Sequence, residues 1–407
     1  MSNIEEAPHK KRKVEASLES LLPDDVAISC LARVSRLEYA ALSLASKSYR
    51  SLVSSPELYK TRSLMGRTET YVYVCLRTPP DSNPRWYILR RREILNASFS
   101  DLMPIPSCPS QPPEASSVVV LDWGIYVIGG LIKGKPTSKV LLLDCRTHTW
   151  RQVPSMRVTR ASAAAGVVDG KIYVLGGCKF DEKNWGEVFD PKTQTWDTLP
   201  PMPDTKKRDQ YIHDSLVRDQ KVYAVDGTDR TLYYSPSLGQ WGRGNRGEVI
   251  GNRRDWCMID NLIFFLTRNG TVIWCEPDEL DWRETEGMVS KEVKGLGFLK
   301  KSLSCSRLVH FGEQIVNLWE KYKIKFGRPQ KLIDLLPGAR LSNSGGNIVL
   351  FWDVIEGDHL EIWCAEISLE RRQGGEIWGN IEWSNAVMTV DPFLDRSKVL
   401  YSASVTL

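Results

Sequence analysis

The sequence lacks several features that mark particular classes of protein. Its 407 residues contain no run of about 18 or more apolar side chains, so we expect no membrane-spanning helix. The first 20 residues are polar and charged, without the apolar stretch of a secretion signal. The nine cysteines are scattered and form no Cys-x-x-Cys pair. This pattern favours buried free thiols in a reducing compartment over disulfides or a zinc site.

Motifs that carry chemistry are equally scarce. The five histidines are not spaced as a metal-binding pair, and there is no Gly-x-Ser-x-Gly elbow, Walker loop or His-Glu-x-x-His helix. Residues 242–247 satisfy Gly-x-Gly-x-x-Gly, but no helix pattern follows, as a dinucleotide site requires. With 54 basic against 50 acidic residues, the net charge of +4 does not indicate a polyanion partner. We therefore expect no catalytic residue, no metal, no cofactor, and neither nucleic acid nor membrane as a partner.

What the sequence does contain is a repeat. The stretches DWGIYVIGG (122–130), DGKIYVLGG (169–177) and DQKVYAVDG (219–227) are near copies, and Trp150, Trp196 and Trp241 follow them at spacings of 46 and 45 residues. Paired glycines permit positive φ and close backbone approach, and one tryptophan per unit can pack between sheets. Turns such as Asp190-Pro191-Lys192-Thr193 join further strands. Four short strands per roughly 50 residues predict the blades of a β-propeller.

These units resemble kelch repeats, whose marks are the glycine pair and a spaced tyrosine and tryptophan. The clearest lie at 118–153, 164–199, 214–241 and 256–284. Strand patterns at Tyr71–Arg92 and from Ser344 onward indicate an early, partial blade and a late blade. The run 306–321 duplicates the start of the late blade, so the count is six or seven, and we favour six.

Ring closure is predicted to involve the last apolar run, residues 398–407. The early blade lacks its own innermost strand, and open sheet edges invite aggregation. The C-terminal strand would fill that place and join the two ends of the ring.

Residues 18–65 show a helical pattern between a basic tail (1–17), which we expect to be disordered, and the propeller (66–407). Pro23 suits a first helical turn, and Asp24 and Asp25 favour a helix N-terminus. A second helical stretch is expected to end at Ser55-Pro56. So many apolar side chains on about 45 residues need cover, either from a partner or from the propeller.

This segment resembles an F-box, a domain of three short helices, through Leu22-Pro23-Asp24-Asp25, Ser46-Lys47 and Ser55-Pro56-Glu57-Leu58. The resemblance implies docking on a Skp-type adaptor through the leucine-proline start and the apolar helical faces. The adaptor-binding residues expected from it are Leu22, Pro23, Val26, Ile28, Leu31, Val34, Leu42, Lys47 and Arg50. The alternative is a helical cap without an outside partner.

The order of the two parts is similar to that of the plant F-box/kelch-repeat proteins. This resemblance implies a non-catalytic substrate receptor of an SCF-type ubiquitin ligase, joined through its adaptor to a cullin scaffold. One alternative is a kelch scaffold that acts without ubiquitin transfer. Another is a copper- or nucleotide-dependent enzyme, for which the sequence lacks clustered reactive residues.

Strand alternation predicts that the loops between strands 2 and 3 and between successive blades lie at one end of the ring. In the best-defined blades these loops carry fourteen basic and six acidic residues, a net +8. This composition indicates either ordinary polar loops or a surface for an acidic or phosphorylated segment of a target protein. The predicted contacts are Arg157, Arg160, Lys179, Trp185, Lys206, Lys207, Arg208 and Tyr211.

The run Lys10, Lys11, Arg12 and Lys13 resembles a nuclear localisation signal, although four consecutive cations also suit an ordinary solvated tail. We therefore expect the protein in the nucleus, the cytoplasm or both.

Overall fold

The computed structural model divides the chain into two units, residues 1–69 with Leu407 and residues 70–406. The structure describes residues 22–78, 83–94, 97–108, 115–178, 184–202, 212–226, 231–243, 256–267, 270–276, 291–304, 340–356, 359–390 and 397–407. The first unit is helical and the second is built almost entirely of β-sheet.

The described part of the first unit contains four α-helices and one 3-10 helix, where the sequence predicted three helices. They are α1 (Asp24–Leu31), the 3-10 helix (Arg36–Glu38), α2 (Tyr39–Ala45), α3 (Lys47–Val53) and α4 (Pro56–Leu64). The predicted second helix is split because Ser46 adopts an extended backbone and caps α3. Helix α3 ends at Val53, just before Ser55-Pro56 as expected, and Ser55-Pro56 also begins α4. The Ser55 hydroxyl accepts from the N–H of Leu58 and Pro56 fills the first turn.

The described strands of the second unit form six four-stranded antiparallel sheets, which we call blades 1 to 6. Blade 1 consists of β26 (Lys398–Thr406), β1 (Thr70–Arg77), β2 (Arg85–Ile94) and β3 (Ala97–Pro104). Blade 2 consists of β4 (Ser117–Leu121), β5 (Gly124–Ile128), β8 (Val140–Asp144) and β9 (Thr149–Val153), with a hairpin of β6 (Leu131–Ile132) and β7 (Lys135–Pro136). Blade 3 consists of β10 (Ala164–Val168), β11 (Lys171–Leu175), β12 (Gly186–Asp190) and β13 (Thr195–Thr198).

The remaining three blades follow in chain order. Blade 4 consists of β14 (Ile212–Arg218), β15 (Lys221–Asp226), β16 (Thr231–Ser235) and β17 (Gln240–Arg243). Blade 5 consists of β18 (Cys257–Ile259), β19 (Leu262–Leu266), β20 (Val272–Cys275) and β21 (Lys291–Glu292), followed by helix α5 (Gly297–Ser304). Blade 6 consists of β22 (Arg340–Ser344), β23 (Asn347–Glu356), β24 (His359–Arg371) and β25 (Ile377–Val390).

The six-bladed propeller and its closure are confirmed. The C-terminal strand β26 pairs antiparallel with β1 over Thr70–Arg77, in the first position of blade 1. First strands of neighbouring blades contact each other at β26–β4, β4–β10, β10–β14, β18–β22 and β22–β26. The segment 306–336, which raised the alternative of a seventh blade, lies outside the described residues. Blade 5 also extends past the predicted end of its repeat at 284, because its fourth strand is Lys291–Glu292.

Glycines of the repeated pairs adopt positive φ and lie close to neighbouring backbone, as the sequence predicted. Gly129 and Gly177 have φ values of +60° and +68°. A Cβ on Gly129 would meet the Arg160 carbonyl oxygen at 2.6 Å, and one on Gly177 would meet the Ala161 carbonyl oxygen at 2.8 Å. The chain therefore needs glycine at both places, for backbone conformation and for space.

The repeated tryptophan fastens each outer strand to the connector that leads into its blade. The indole N–H donates to a proline carbonyl in three successive blades: Trp150 to Pro106 (3.0 Å), Trp196 to Pro154 (2.8 Å) and Trp241 to Pro200 (2.8 Å). The spacing seen in the sequence thus reflects one repeated hydrogen bond as well as packing.

Side chains from facing sheets form the core. Between blades 5 and 6, Phe264 and Trp274 pack in one cluster with Leu350 and Trp352. Helix α5, which the sequence did not predict, adds buried Leu299 and Leu303 to that cluster.

Candidate interaction surfaces

The helical unit exposes apolar side chains although it has a core of its own. Leu22, which precedes α1, is 49% exposed, and Val26 in the first turn of α1 is 45% exposed. On α2, Leu44 is 83% exposed. Leu44 is not among the adaptor residues predicted from sequence, because a helical pattern does not show which face of a helix other elements will cover. Exposed apolar residues of this size are typical of an interaction surface.

The other predicted adaptor residues differ in accessibility. Pro23, Lys47 and Arg50 are exposed, whereas Ile28, Val34 and Leu42 are half-buried. Leu31 is only 5% exposed, so its side chain belongs to the core of the helical unit and we remove it from the adaptor surface.

A buried arginine fixes the arrangement of these helices. The Arg62 guanidinium on α4 donates to the carbonyl of Val34 (2.7 Å) and to the Tyr39 hydroxyl (3.1 Å), and it pairs with Glu69 (3.1 Å). Tyr39 in turn donates to the Leu31 carbonyl at the end of α1. Burial raises the pKa of Tyr39 against the opposing effect of Arg62. The network joins α1, α2 and α4 and so holds the exposed face of α1 in a defined place.

The predicted target-binding residues fall into three groups. Arg157 is described and its side chain is 57% exposed. Arg160 is 1% exposed and Trp185 is 2% exposed, so neither offers a surface to a partner, and we remove both from the contact set. Trp185 instead packs edge-on against Trp241 of blade 4, at 5.3 Å between ring centroids. Lys179, Lys206, Lys207, Arg208 and Tyr211 lie outside the described residues.

Arg160 is buried because it has a complete set of partners within the propeller. Its guanidinium pairs with Glu187 (2.9 Å), whose side chain is 0% exposed, and donates to the carbonyl oxygens of Gly176 (2.6 Å) and Asn184 (2.7 Å). Glu187 also accepts from the backbone N–H of Arg157 (2.7 Å). A buried charge pair is tolerated when such hydrogen bonds satisfy it. Local sequence does not indicate this pairing, because Arg160 lies in the connector between two repeats and Glu187 lies 27 residues further along the chain.

Among the residues that the structure describes, no group of three His, Cys, Asp or Glu side chains is placed to hold a metal ion. The eight described cysteines are free, and burial raises the pKa of Cys257 to about 12, so that thiol stays protonated at neutral pH. Gly242, in the Gly-x-Gly-x-x-Gly match, leaves room for the Tyr233 ring, because a Cβ there would approach it to 2.2 Å. No described helix is long and apolar enough to cross a membrane.

Comparison with known proteins gives a consistent assignment over the whole chain. A model of the F-box domain matches residues 20–61, and a model described as FKB95, Kelch-repeats domain matches residues 86–334. The chain is 43% identical to the putative F-box/kelch-repeat protein At3g24610 of Arabidopsis thaliana, over 98% of this chain and 97% of that protein. It is 38% identical to F-box/kelch-repeat protein At4g39580 of the same plant, over 98% and 99%. Among solved structures, the structure of YjhT covers 73% of this chain and 90% of that chain, at 13% identity and a TM-score of 0.41.

Proposed function

The chain belongs to the F-box/kelch-repeat family, and we propose that it is the substrate-recognition subunit of an SCF-type ubiquitin ligase. The combination of F-box and kelch repeats indicates a substrate-adaptor role in such ligases, and proteins of this kind are typically non-catalytic. The helical unit binds a Skp-type adaptor, through which the complex reaches a cullin scaffold. The propeller binds the target protein.

The observation that carries the adaptor assignment is the exposure of Leu22, Val26 and Leu44 on a unit whose core includes Ala27, Leu52 and Leu58. Burial of these apolar side chains in an apolar groove of a partner would stabilise the complex by about 25 cal/mol for each Å² removed from water. The half-buried residues Ile28, Val34 and Leu42 and the exposed Pro23, Lys47 and Arg50 complete the proposed adaptor surface.

The proposed mechanism is proximity. A receptor that holds the target near the ubiquitin-carrying subunit turns a bimolecular encounter into an effectively intramolecular one, so it needs no reactive group of its own. The loops between strands 2 and 3 and the connectors between successive blades, with Lys179, Lys206, Lys207, Arg208 and Tyr211 among their predicted contacts, are the proposed target surface.

The adaptor assignment is tested by measuring binding of the full chain to a purified Skp-type adaptor. We expect Val26→Asp and Leu44→Asp each to weaken binding about tenfold or more, because a carboxylate would be buried against an apolar groove. Leu238→Asp is the matched control, since Leu238 is 68% exposed but lies on the propeller. All three variants should unfold at the temperature of the unaltered chain.

A chain that forms no stoichiometric complex with the adaptor would contradict the proposal. That result would favour the alternative, a kelch scaffold without a ligase role. Equal loss of binding in the Leu238 control would show that the apolar face of the helical unit is not the docking site.

The proposed location is the nucleus together with the cytoplasm, on the basis of the basic run Lys10 to Lys13. These residues lie outside the described part. Replacing Lys11 and Arg12 by alanine in a fluorescently tagged full chain should lower the nuclear fraction of the signal. An unchanged distribution would mean that the run is an ordinary charged tail.

A further inference from the structure

Within the residues that the structure describes, one sector of the proposed target surface carries several exposed cations and few acidic side chains. Lys133 and Lys135 are exposed on the β6–β7 hairpin of blade 2, Lys139 is exposed just after it, and Arg157 is exposed on the connector to blade 3. Neither segment, 129–139 or 154–163, contains an aspartate or glutamate. The one described carboxylate that pairs with the Arg157 side chain is Asp197, 73% exposed and 3.7 Å away. The described exposed side chains of this sector are therefore mainly positive, on a chain whose net charge is only +4.

The buried residue Arg160 connects the segments of this sector through hydrogen bonds. Its backbone N–H donates to the Thr137 carbonyl (3.1 Å) and its carbonyl accepts from the Gly130 N–H (2.7 Å), which ties the connector to the base of the β6–β7 hairpin. Its guanidinium donates to Gly176 (2.6 Å) and Asn184 (2.7 Å), at the two ends of the loop between β11 and β12. One buried residue thus links three neighbouring segments at the loop end of the ring.

Glu187 completes the arrangement from blade 3. It accepts from the backbone N–H groups of Arg157 (2.7 Å) and Val158 (3.2 Å) and from the Arg160 side chain. The backbone that carries Arg157 is therefore fixed, and its side chain, although 57% exposed, donates from Nε to the Trp196 carbonyl (3.0 Å). Fixing cations before binding reduces the entropy lost when an anion is captured.

We propose that this sector of blades 2 and 3 takes the acidic or phosphorylated segment of the target protein. Lys133, Lys135 and Arg157 make the contacts, and Arg160 with Glu187 is the positioning pair. The proposal rests on the proposed function and adds to it a place on the ring and a ligand chemistry. A protein segment suits the sector better than a nucleic acid does, because three exposed cations match one phosphate or a short acidic run, whereas a nucleic acid needs a long basic track.

The test uses the full chain in complex with its adaptor and an immobilised library of phosphoserine peptides, with unphosphorylated and glutamate-containing counterparts. We expect the complex to retain phosphorylated or acidic peptides over neutral ones. Lys133→Glu with Lys135→Glu should lower retention about tenfold or more. The matched control is Lys171→Glu with Lys192→Glu, which reverses two exposed lysines at the opposite end of blade 3.

The positioning role of Arg160 needs a separate comparison. Arg160→Lys keeps the charge but loses the planar fork that joins three segments, so we expect lower peptide retention with unchanged adaptor binding. Glu366→Gln is its control, because it weakens the ion pair with Arg91 between blades 6 and 1, which lies outside blades 2 and 3. Both variants are compared at temperatures where each is fully folded.

The outcomes separate this inference from the proposed function. A complex that forms with the adaptor but retains no acidic or phosphorylated peptide overturns the inference and leaves the adaptor role standing. Equal loss in the Lys171 and Lys192 control, or equal retention of a single-stranded oligonucleotide, points to unspecific charge attraction and also overturns it. If Glu366→Gln lowers retention as much as Arg160→Lys does, the positioning role is overturned. Failure of adaptor binding itself contradicts the proposed function.

Discussion

Blades 2 and 3 meet through a fully buried ion pair, whereas blades 6 and 1 meet through a partly exposed one. Arg160 and Glu187 have side chains 1% and 0% exposed. At the other seam, the Glu366 side chain is 12% exposed and Arg91, which pairs with it, is 43% exposed. Glu366 also accepts from Asn347 (2.8 Å) and from the Trp383 indole (3.0 Å).

The strands at the two seams differ as well. Those of blades 2 and 3 have four or five residues, apart from the small hairpin. In blade 6, β23, β24 and β25 have 10, 13 and 14 residues, and in blade 1 the closing strand has nine. The long strands of blades 6 and 1 pack their apolar faces in one cluster, which includes Val74, Leu76, Phe351 and Ile362.

The largest effect is expected from removing the closing strand. Deletion of residues 398–407 takes away the partner of β1 and the buried Val399 and Val405, so the whole ring should lose its cooperative unfolding transition. Chemical denaturation followed by tryptophan fluorescence measures this. Deletion of residues 1–17 is the control and should leave the transition in place. A cooperative transition in the shortened chain would mean that the ring does not depend on its long-strand seam.

The second-largest effect is expected from truncating the buried carboxylate of Glu187. Glu187→Ala leaves the Arg160 guanidinium buried without its counter-charge, which costs about 3–5 kcal/mol of unfolding free energy. Glu366→Ala should cost only about 1 kcal/mol from its ion pair, because Arg91 reaches water. Urea unfolding of both variants gives the difference. Equal losses would show that burial does not distinguish the two seams.

Replacing glycine at two turns separates the cost of positive φ from the cost of steric crowding. Gly177 and Gly345 both have positive φ, +68° and +63°, but only Gly177 has backbone atoms within 3 Å of an added Cβ. Gly345→Ala should therefore cost about 1 kcal/mol from its conformation alone. Gly177→Ala should cost about 2–3 kcal/mol, because the neighbouring backbone must also move. Thermal unfolding of the two variants compares them, and a larger shift for Gly345 would refute the crowding argument.

The smallest effect is the pH dependence of the blade 6–blade 1 seam. Burial favours the neutral form of Glu366, but hydrogen bonds from Asn347 and Trp383 and the charge of Arg91 outweigh it, so the pKa is lowered from its ordinary value of 4.5. A lowered pKa means that the ionised group stabilises the fold above pH 4.5 and that this contribution is lost as pH falls through the folded-state pKa. Glu366→Gln should reduce the loss of stability in acid. An unchanged acid profile would assign that loss to other carboxylates.

Several parts of this structure could be predicted from local sequence. The glycine pairs, the Asp-Pro turns and the spaced tryptophans predicted the four-stranded blade. The apolar run at 398–407 predicted the strand that closes the ring. The order of helices before the ring was also predicted, yet the break at Ser46 was not, because Ser46 caps α3 through a hydrogen bond that helical periodicity does not encode. The candidate surface was less predictable. Arg157 and Arg160 look alike in sequence, but one is exposed and the other is buried.

The sequence by itself determined the repeating unit, its four strands and the order of a helical segment before a ring, because these follow from the spacing of neighbouring residues. Only the tertiary structure decided which cations remain at the surface, which leucines of the helical unit stay uncovered and which strands meet at closure. Those outcomes depend on partners far along the chain: Arg160 finds Glu187 27 residues away, and Thr70 meets Thr406 336 residues away. Burial and charge pairing are set by such distant contacts, and a local pattern carries no information about them.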